Sequence, residues 1–392
     1  MKIGFVLFNS PEKSETFLIS KINNLIESGC NVVMFANQKN NFSLCKVIPH
    51  PTVYKNFVLQ IFKIIVSNII LFIKRPRIFI NFLNLEKKDN ISFQDRWKNL
   101  YLNNHILSQD LDWLYFGFAT TAIRRENVSK SINAKMGLSI RGYDIYVYPL
   151  KDKDCYKRLW FKIDKLHSIS NHLLKSAEQY GLDDRTTKSV IRPSIDINYF
   201  INKKKISKLK INRKKIQFLT IARLHWVKGL EYAMQALSVL KQKNLNFSYK
   251  IIGGGQEYER LIYAAHQMDL DENISFIGPQ THNVIKDYLQ ETDIYLQYSI
   301  QEGFCNAVLE AQAMGLLCIV SDANGLIENI THNHTGWVVP KMAPELLADR
   351  IEKVLLTPDE TLTQIRHNAI TRINRDFSLS KQKDMFFEFY NK

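Results

Sequence analysis

Short apolar runs alternate with longer amphipathic stretches along the first 190 residues of the chain. Ile3–Phe8 and Asn31–Ala36 predict strands, and Glu15–Ser28 between them repeats its apolar positions with helical spacing. This half of the chain therefore opens with a β-α-β unit, and the stretch from Leu85 to Asp112 is its least legible part. Further predicted elements here are strands at Trp113–Phe118, Met136–Ile140, Lys165–Ile169 and Lys188–Ile191, and a helix at Asn171–Tyr180 with Ser170 as its N-cap.

A strongly basic run from Asn202 to Lys215 changes the composition, and beyond it the alternation restarts more clearly. The predicted strands are Ile216–Ile221, Tyr249–Ile252, Ile274–Phe276, Ile294–Gln297 and Cys318–Val320, and the helices are Leu230–Leu240, Glu257–Met268, Asn283–Leu289 and Asn306–Met314. Strands alternating with helices indicate a parallel, doubly wound sheet. We predict an α/β protein with two Rossmann-like domains, residues 1–200 and 201–375. Ligands of such folds bind beyond the carboxyl ends of the strands, so two such domains facing each other would leave a ligand-binding cleft between them.

One stretch, Phe57–Ile73, is almost wholly apolar. At 100° per residue its polar side chains fall on one narrow stripe, formed by Asn56, Gln60, Lys63, Ser67 and Lys74. Two interpretations stay open: a helix in the plane of a membrane, whose basic flank meets anionic lipid, and a buried helix of the N-terminal domain. A bilayer crossing is disfavoured, because a lysine lies well inside the run and the run is slightly short.

Charge and cysteine content narrow the class of protein. Lys and Arg outnumber Asp and Glu by 53 to 38, a net charge of +15, which favours an anionic partner such as a nucleotide, a nucleic acid or an anionic membrane. The five cysteines include no CxxC pair, so we predict neither a zinc site nor a disulfide framework, and a reducing cytoplasm fits. The apolar run at Met1–Phe8 is too short for a signal peptide and fits a first strand.

The segment Gln301–Glu310 places two acids around a predicted strand–loop–helix junction. Gly303 permits close approach of the backbone to a ligand, and the amides of Phe304, Cys305 and Asn306 would be the unpaired donors of a new helix, which suit an anion. Carboxylates next to such a site, here Glu302 and Glu310, are costly unless they accept hydrogen bonds from hydroxyl groups. A nucleotide sugar offers both phosphates and hydroxyls, whereas a bare pair of glutamates would be a solvated helix face.

Basic and glycine residues follow two other predicted strands. Arg223 and Lys228 flank the loop after Ile216–Ile221 and could neutralise a diphosphate leaving group, although surface basicity is common in so basic a protein. Gly253–Gly255, with Gly254 at its centre, resembles a phosphate-binding turn but lacks the GxGxxG pattern, so a tight turn explains it equally well.

Three Asp-x-Asp strings begin at Asp110, Asp152 and Asp269. Acids this close can hold Mg²⁺ or Mn²⁺ against a diphosphate, but the pattern is short enough to arise by chance. We therefore predict no catalytic metal and no bound cofactor. In the N-terminal half, Arg141 and Asp144 leave a predicted strand and are acceptor-side candidates, as is Ser14, which helix capping alone would also explain.

Together, Arg223, Lys228, Gly253–Gly255 and the Glu302–Gly315 segment resemble the retaining glycosyltransferases of family 4 (glycosyl transferases group 1), which have the GT-B fold. The loop Pro11–Phe17 is similar to that of members that build bacterial exopolysaccharide, capsule or lipopolysaccharide. The resemblance covers nearly the whole chain and is densest over Thr220–Pro340.

The resemblance implies roles for these residues. Glu302 would contact hydroxyls of the donor sugar, Glu310 the ribose, and Arg223 and Lys228 the diphosphate, without a metal. The last helix, residues 376–392, would cross back to the N-terminal domain. Many relatives have a histidine where this chain has Arg141, so no catalytic histidine is carried over, and Cys305 stands where a proline is common.

The prediction is a hexosyltransferase that moves a sugar, with retention, from a nucleoside-diphosphate sugar to a glycan or lipid-linked acceptor in bacterial surface polysaccharide synthesis. We expect it in the cytoplasm, peripherally on the inner face of the membrane, with no nucleic acid partner. Three alternatives stay open: a GT-B sugar epimerase, a phosphorylase, and a non-enzymatic basic protein that binds nucleic acid or anionic membrane.

Overall fold

A computed structural model describes residues 1–11, 16–38, 42–200 and 214–391, and the predicted contact Ser14 lies outside these ranges. The chain divides into two compact units: Met1–Ile191 with Lys383–Lys392, and Arg192–Gln382. The composition shift suggested a boundary at residue 200. The contacts place it earlier because Ile195 N donates to Phe377 O at 3.1 Å and Gln382 Nε2 donates to Arg192 O at 2.8 Å.

The first unit contains a sheet of seven parallel strands in the order β3-β2-β1-β4-β5-β6-β7. Its strands are β1 (Lys2–Asn9), β2 (Asn31–Asn37), β3 (Lys46–Ile48), β4 (Trp113–Phe116), β5 (Lys135–Ile140), β6 (Lys165–Ser168) and β7 (Thr187–Val190). The strand order reverses between β1 and β4, as in doubly wound folds.

Nine helices connect these strands among the described residues. They are α1 (Thr16–Glu27), α2 (Phe57–Lys74), α3 (Pro76–Lys88), α4 (Phe93–Leu107), α5 (Val128–Ser131), α6 (Gly142–Tyr146), α7 (Tyr148–Lys151), α8 (Lys157–Trp160) and α9 (Asn171–Gln179). Ser170 caps α9 as predicted, since its side chain accepts a hydrogen bond from Leu173 N. The stretch from Leu85 to Asp112, which gave no clear prediction, contains the end of α3 and all of α4.

The second unit contains six parallel strands in the order β10-β9-β8-β11-β12-β13. They are β8 (Ile216–Ile221), β9 (Phe247–Ile252), β10 (Ile274–Gly278), β11 (Ile294–Gln297), β12 (Leu317–Ser321) and β13 (Trp337–Val339). The helices are α10 (Ile197–Phe200), α11 (Leu230–Gln242), α12 (Tyr258–Gln267), α13 (His282–Glu291), α14 (Asn306–Ala313), α15 (Pro344–Leu356) and α16 (Asp359–Asp376). The predicted α/β class with two parallel sheets is confirmed.

The last helix, α17 (Leu379–Asn391), ends in the first unit. Phe386, Phe389 and Tyr390 are buried in the same core cluster as residues of β1 and β4. Lys165 of β6 donates to Phe389 O at 2.7 Å, which fixes the end of α17 against the sheet.

Helix α2 lies on the surface of the first unit, so the interpretation of a buried core helix is wrong. Only Asn68 and Leu71 of this helix are buried. Among the described helices, it alone is long and apolar enough to cross a membrane, with a mean hydropathy of 2.0 over 18 residues.

Candidate functional site

The strand order of the second unit reverses between β8 and β11, which pair side by side. The loops that leave the carboxyl ends of these two strands therefore meet, although about 70 residues separate them in the chain. Ile300 N donates to Val227 O at 2.8 Å. Gly229 has φ +59°, and a Cβ there would lie 2.1 Å from Tyr298 O, so this contact between the loops requires a glycine.

Lys228 and Glu302 form an ion pair at this junction, with Nζ and Oε2 2.5 Å apart. Both side chains are mostly buried, with 13% and 12% of their surfaces exposed. Burial by itself lowers the pKa of Lys228, but the Glu302 carboxylate outweighs that effect, so the pKa lies above its ordinary value. The charge of nearby Arg223 opposes the rise, which places this second cation within electrostatic reach of the pair.

Glu302 is held by a chain of hydrogen bonds from buried polar side chains that the sequence analysis did not predict. Ser299 Oγ donates to Glu302 Oε2 at 3.2 Å and accepts from Gln297 Nε2 at 3.0 Å. Gln297 Oε1 in turn accepts from Tyr295 OH at 3.0 Å. All three side chains are essentially inaccessible to solvent. A sequence signal for these three residues existed: a polar side chain stands at every second position from Tyr295 to Ser299, and alternate residues share one face of a strand.

Glu310 lies in α14 with only 8% of its surface exposed. Burial raises the pKa of this carboxyl to about 7. No side chain or amide of the described residues donates a hydrogen bond to it. A buried carboxyl without a donor is unfavourable when ionised, and hydroxyl groups of a ligand would relieve this.

The amino end of α14 differs from the prediction in one respect. Cys305 N donates to Asn329 Oδ1 at 3.1 Å, and Asn329 Nδ2 donates to Cys305 O at 2.8 Å, so the Cys305 amide is not available to an anion. Within the described part of the chain, the amides of Phe304 and Asn306 have no acceptor. Asn329 is fully buried in a 3₁₀ turn after β12, and no local sequence pattern marks it.

The Phe304 ring, predicted to lie near the donor, is buried against Phe377 with ring centroids 5.8 Å apart. Gly303 is also buried, and Glu302 O accepts from Gly325 N at 2.9 Å. The β11 loop and the turn after β12 are therefore tied together through the backbone.

Gly253–Gly255 follows β9 and packs on the loop after β8. A Cβ at Gly253 would lie 1.9 Å from Ala222 O, and one at Gly255 would lie 2.2 Å from Leu224 O. Gly254 has only the Pro279 ring nearby, at 3.1 Å, while its carbonyl accepts from Leu224 N. Close packing therefore explains two of the three glycines, and contact of Gly254 with a donor stays a prediction.

Each of the three Asp-x-Asp strings has at least one aspartate with a partner within the protein. Asp110 pairs with Arg75, and Asp112 Oδ2 accepts from Lys2 N at 2.6 Å. Asp152 caps its own turn, and Asp269 pairs with Lys241 at 2.9 Å. Within the described ranges, no three His, Cys, Asp or Glu side chains group as metal ligands would.

In the first unit, Arg141 and Asp144 lie where β5 turns into α6. Asp144 is 1% exposed and accepts hydrogen bonds from Arg141 N and from the amide and hydroxyl of Thr120, at 3.0 to 3.1 Å. Burial raises its pKa to about 6. This carboxyl therefore holds the turn, and the Arg141 guanidinium stacks 3.8 Å from the Phe17 ring. Acceptor contact by either residue stays a prediction.

Residues 201–372 match the family model of the glycosyl transferases group 1. The match assigns this region, 172 of the 392 residues, to that family. The match includes Arg223, Lys228, Glu302 and Glu310, the four charged residues predicted to contact the donor.

Curated relatives agree with this assignment. The chain is 30% identical over 255 residues to the amylovoran biosynthesis glycosyltransferase AmsK of Erwinia amylovora, covering 63% of this chain and 61% of that protein. It is 24% identical to the putative colanic acid biosynthesis glycosyltransferase WcaL of Escherichia coli K12, over 96% of each chain. An Escherichia coli UDP-Gal:α-D-GlcNAc-diphosphoundecaprenol α-1,3-galactosyltransferase is 27% identical over 52% of this chain and 53% of its own.

Solved structures share the fold at low sequence identity. Anabaena HepE in complex with UDP superposes with a TM-score of 0.73 at 16% identity, over 99% of both chains. The glycosyltransferase of Rickettsia africae gives 0.71 at 20% identity, over 99% of this chain and 97% of that one. The fold is therefore GT-B, as the resemblance implied.

Proposed function

We propose that the protein transfers a sugar, with retention, from a uridine-diphosphate sugar to a polyprenyl-diphosphate-linked glycan during synthesis of a bacterial surface polysaccharide. The observation that carries the proposal is the buried Lys228–Glu302 pair at the junction of the β8 and β11 loops. The buried Glu310 carboxyl in the following helix, α14, lies within electrostatic reach of Cys305, as do Lys228 and Glu302. The polymer class follows the relatives named for amylovoran and colanic acid biosynthesis, and the acceptor class follows the relative named for a diphosphoundecaprenol-linked acceptor.

The residues divide the work by charge. Arg223 and Lys228 bind the diphosphate and stabilise it as it leaves, together with the amides of Phe304 and Asn306. Glu302 accepts hydrogen bonds from the donor sugar once the diphosphate competes for Lys228. Glu310 accepts from the ribose hydroxyls, which replace the partners it lacks in the free protein.

A panel of UDP-, GDP- and ADP-sugars tests the donor in thermal-shift measurements, because a ligand that binds only the native state raises its stability. Nucleotide release is then measured with and without a synthetic polyprenyl-diphosphate-linked GlcNAc. We expect UDP-sugar binding, acceptor-dependent release of UDP and an α-linked product by NMR. Binding of no nucleotide sugar, or an inverted product from an α-linked donor, would refute the proposal.

The same assay separates the enzymatic alternatives. An epimerase would convert the donor sugar without acceptor and without net glycan growth. A phosphorylase would release sugar phosphate when phosphate and glycan are supplied. Transfer that requires acceptor and releases nucleoside diphosphate excludes both.

We also propose that the protein works on the cytoplasmic side of the membrane. Its five cysteines are free thiols, which suits a reducing compartment. Fractionation of cells under low and high salt, with immunodetection of the protein, tests this location.

A further inference from the structure

Helix α2 presents a broad apolar face to solvent, the reverse of an ordinary surface helix, and turns the uncharged polar side chains of Gln60, Ser67 and Asn68 towards the protein. Gln60 Oε1 accepts from Tyr54 N at 2.7 Å. Asn68 is 1% exposed and its amide reaches Trp97 O at 3.5 Å. Gln60 and Asn68, two of the polar side chains of this helix, are therefore used in contacts with the rest of the first unit.

The outward face is continuous and apolar. Phe62, Ile65, Ile69 and Ile73 follow one another at helical spacing, with 58%, 50%, 52% and 72% of their surfaces exposed. Ile80, in the first turns of α3, is also 50% exposed. A contiguous patch of this kind marks a surface that is covered by an apolar partner.

The charge around this face identifies the kind of partner. Between Glu27 and Glu86 the sequence contains seven lysines and arginines and no acidic residue. Lys63 and Lys74 are exposed on one flank of the apolar arc, and Arg77 is exposed just beyond its end. An apolar face bordered by lysines and arginines complements a lipid bilayer, whose interior is apolar and whose headgroups are anionic.

We propose that α2 docks this protein on an anionic lipid bilayer, lying in the plane of the interface with Phe62, Ile65, Ile69 and Ile73 inserted among the acyl chains. Asn68 stays against α4, and Lys63, Lys74 and Arg77 reach the lipid headgroups. Because this docking does not require sugar transfer, it can be tested independently of the proposed function.

The structure favours this orientation over a bilayer crossing. The helix has 18 residues, about 27 Å at 1.5 Å per residue, and a bilayer core is about 30 Å thick. Its end is fixed to the first unit, because Arg75 makes a two-pronged ion pair with Asp110 at 2.7 and 2.6 Å. Crossing would also expose Gln60 and Asn68 to lipid by breaking their contacts.

The test is flotation of the full-length protein with vesicles of phosphatidylcholine, with or without phosphatidylglycerol. We expect binding to the anionic vesicles that weakens as salt rises. The double variant Ile65→Asp/Ile69→Asp should bind at least tenfold more weakly, since charges enter the inserted face. Lys63→Gln/Lys74→Gln should lose roughly fivefold for each charge removed, on anionic vesicles only.

A matched control places two aspartates on exposed apolar positions of the second unit, Tyr263→Asp/Leu356→Asp, where 64% and 84% of each side chain is exposed. It should bind vesicles as the unaltered protein does. Thermal unfolding and UDP-sugar binding of all variants show that each is folded.

Three results would overturn the proposal. Full vesicle binding by Ile65→Asp/Ile69→Asp would place the contact elsewhere. If alkaline carbonate failed to extract the protein from the vesicles, α2 would span the bilayer. A dimer in lipid-free buffer that the two aspartates dissociate, with no vesicle binding, would make a second copy of the chain the partner. A protein that binds vesicles but transfers no sugar would support this proposal and refute only the proposed function.

Discussion

Replacing Glu310 by glutamine removes a charge that the free protein holds at a cost. Burial raises the pKa of this carboxyl from 4.5 to about 7, whereas in the unfolded chain it titrates near 4.5. The folded state therefore binds the extra proton between these two values, and the free energy of unfolding falls as pH rises through that window. Below the unfolded pKa the cost is absent, and above about pH 7 it is complete.

The size of the effect follows from the shift. A change from 4.5 to about 7 corresponds to about 3 kcal/mol at 1.36 kcal/mol per pKa unit. Only 8% of the residue is exposed, so solvent screening reduces this figure little. We expect Glu310→Gln to stabilise the ligand-free second unit by up to about 3 kcal/mol at pH 8, by less at pH 6, and not at pH 4.5.

The two units need not unfold together, so a measurement local to the second unit is needed. Amide hydrogen exchange of peptides from β11 and α14, compared between variant and unaltered protein at each pH, gives that difference. Glu259→Gln, at an exposed glutamate of α12, is the control and should show no such trend. With saturating UDP-sugar the unaltered protein should become the more stable of the two, because only the glutamate, as an anion, accepts strong hydrogen bonds from the ribose hydroxyls. A variant that is less stable at pH 8, or a difference that does not vary with pH, would refute the reasoning.

Four further substitutions, one of them a control, test the residues that support the site. Ser299→Ala removes one hydrogen bond to the Glu302 carboxylate, about 1.5–3 kcal/mol, so kcat should fall about 10- to 100-fold while the Kd for UDP measured by calorimetry changes little; an unchanged kcat would leave Ser299 without a positioning role. Asn329→Ala leaves the buried amide and carbonyl of Cys305 unpaired and should cost about 2–5 kcal/mol in urea unfolding, unless another donor replaces it. Gly255→Ala would bring a Cβ within 2.2 Å of Leu224 O and should lower Tm by several degrees, whereas Gly254→Ala meets only a proline ring at 3.1 Å and should fold normally.

Local pattern was sufficient for the central strands. β8 and β11 begin and end where the sequence predicted, because apolar runs bounded by polar residues are what a buried parallel strand requires. Helices α3 and α4 were missed for a physical reason. Asn99 Nδ2 donates to Glu86 Oε2 at 2.8 Å inside this helical layer, so polar residues occupy positions where a periodic pattern expects apolar ones.

The candidate site could be predicted in its residue types but not in its contacts. Lys228 and Glu302 are recognisable as charged residues after strands, yet only the reversal of strand order between β8 and β11 brings them together. The Asn329 bonds to Cys305 depend on the turn after β12, and nothing near either residue in the sequence indicates them. The same holds for α2. Its apolar and polar faces were visible in the sequence, but the sequence did not show that the apolar face is the one exposed to solvent.

A buried ion pair is weak evidence of stability, because removing two charges from water costs about as much as their attraction returns. The Lys228–Glu302 pair is better understood as two charges that neutralise each other until the donor supplies each with a new partner. Each partner lies on a loop beyond a strand end. The like charge of Arg223 disfavours the charged lysine, and Ser299 donates a hydrogen bond to the glutamate. An arriving diphosphate offers Lys228 a stronger anion, and the sugar offers Glu302 hydroxyl donors, so the two charges stay paired before and after binding. On this reasoning the free protein avoids the cost of an unpaired buried charge until the donor replaces both partners.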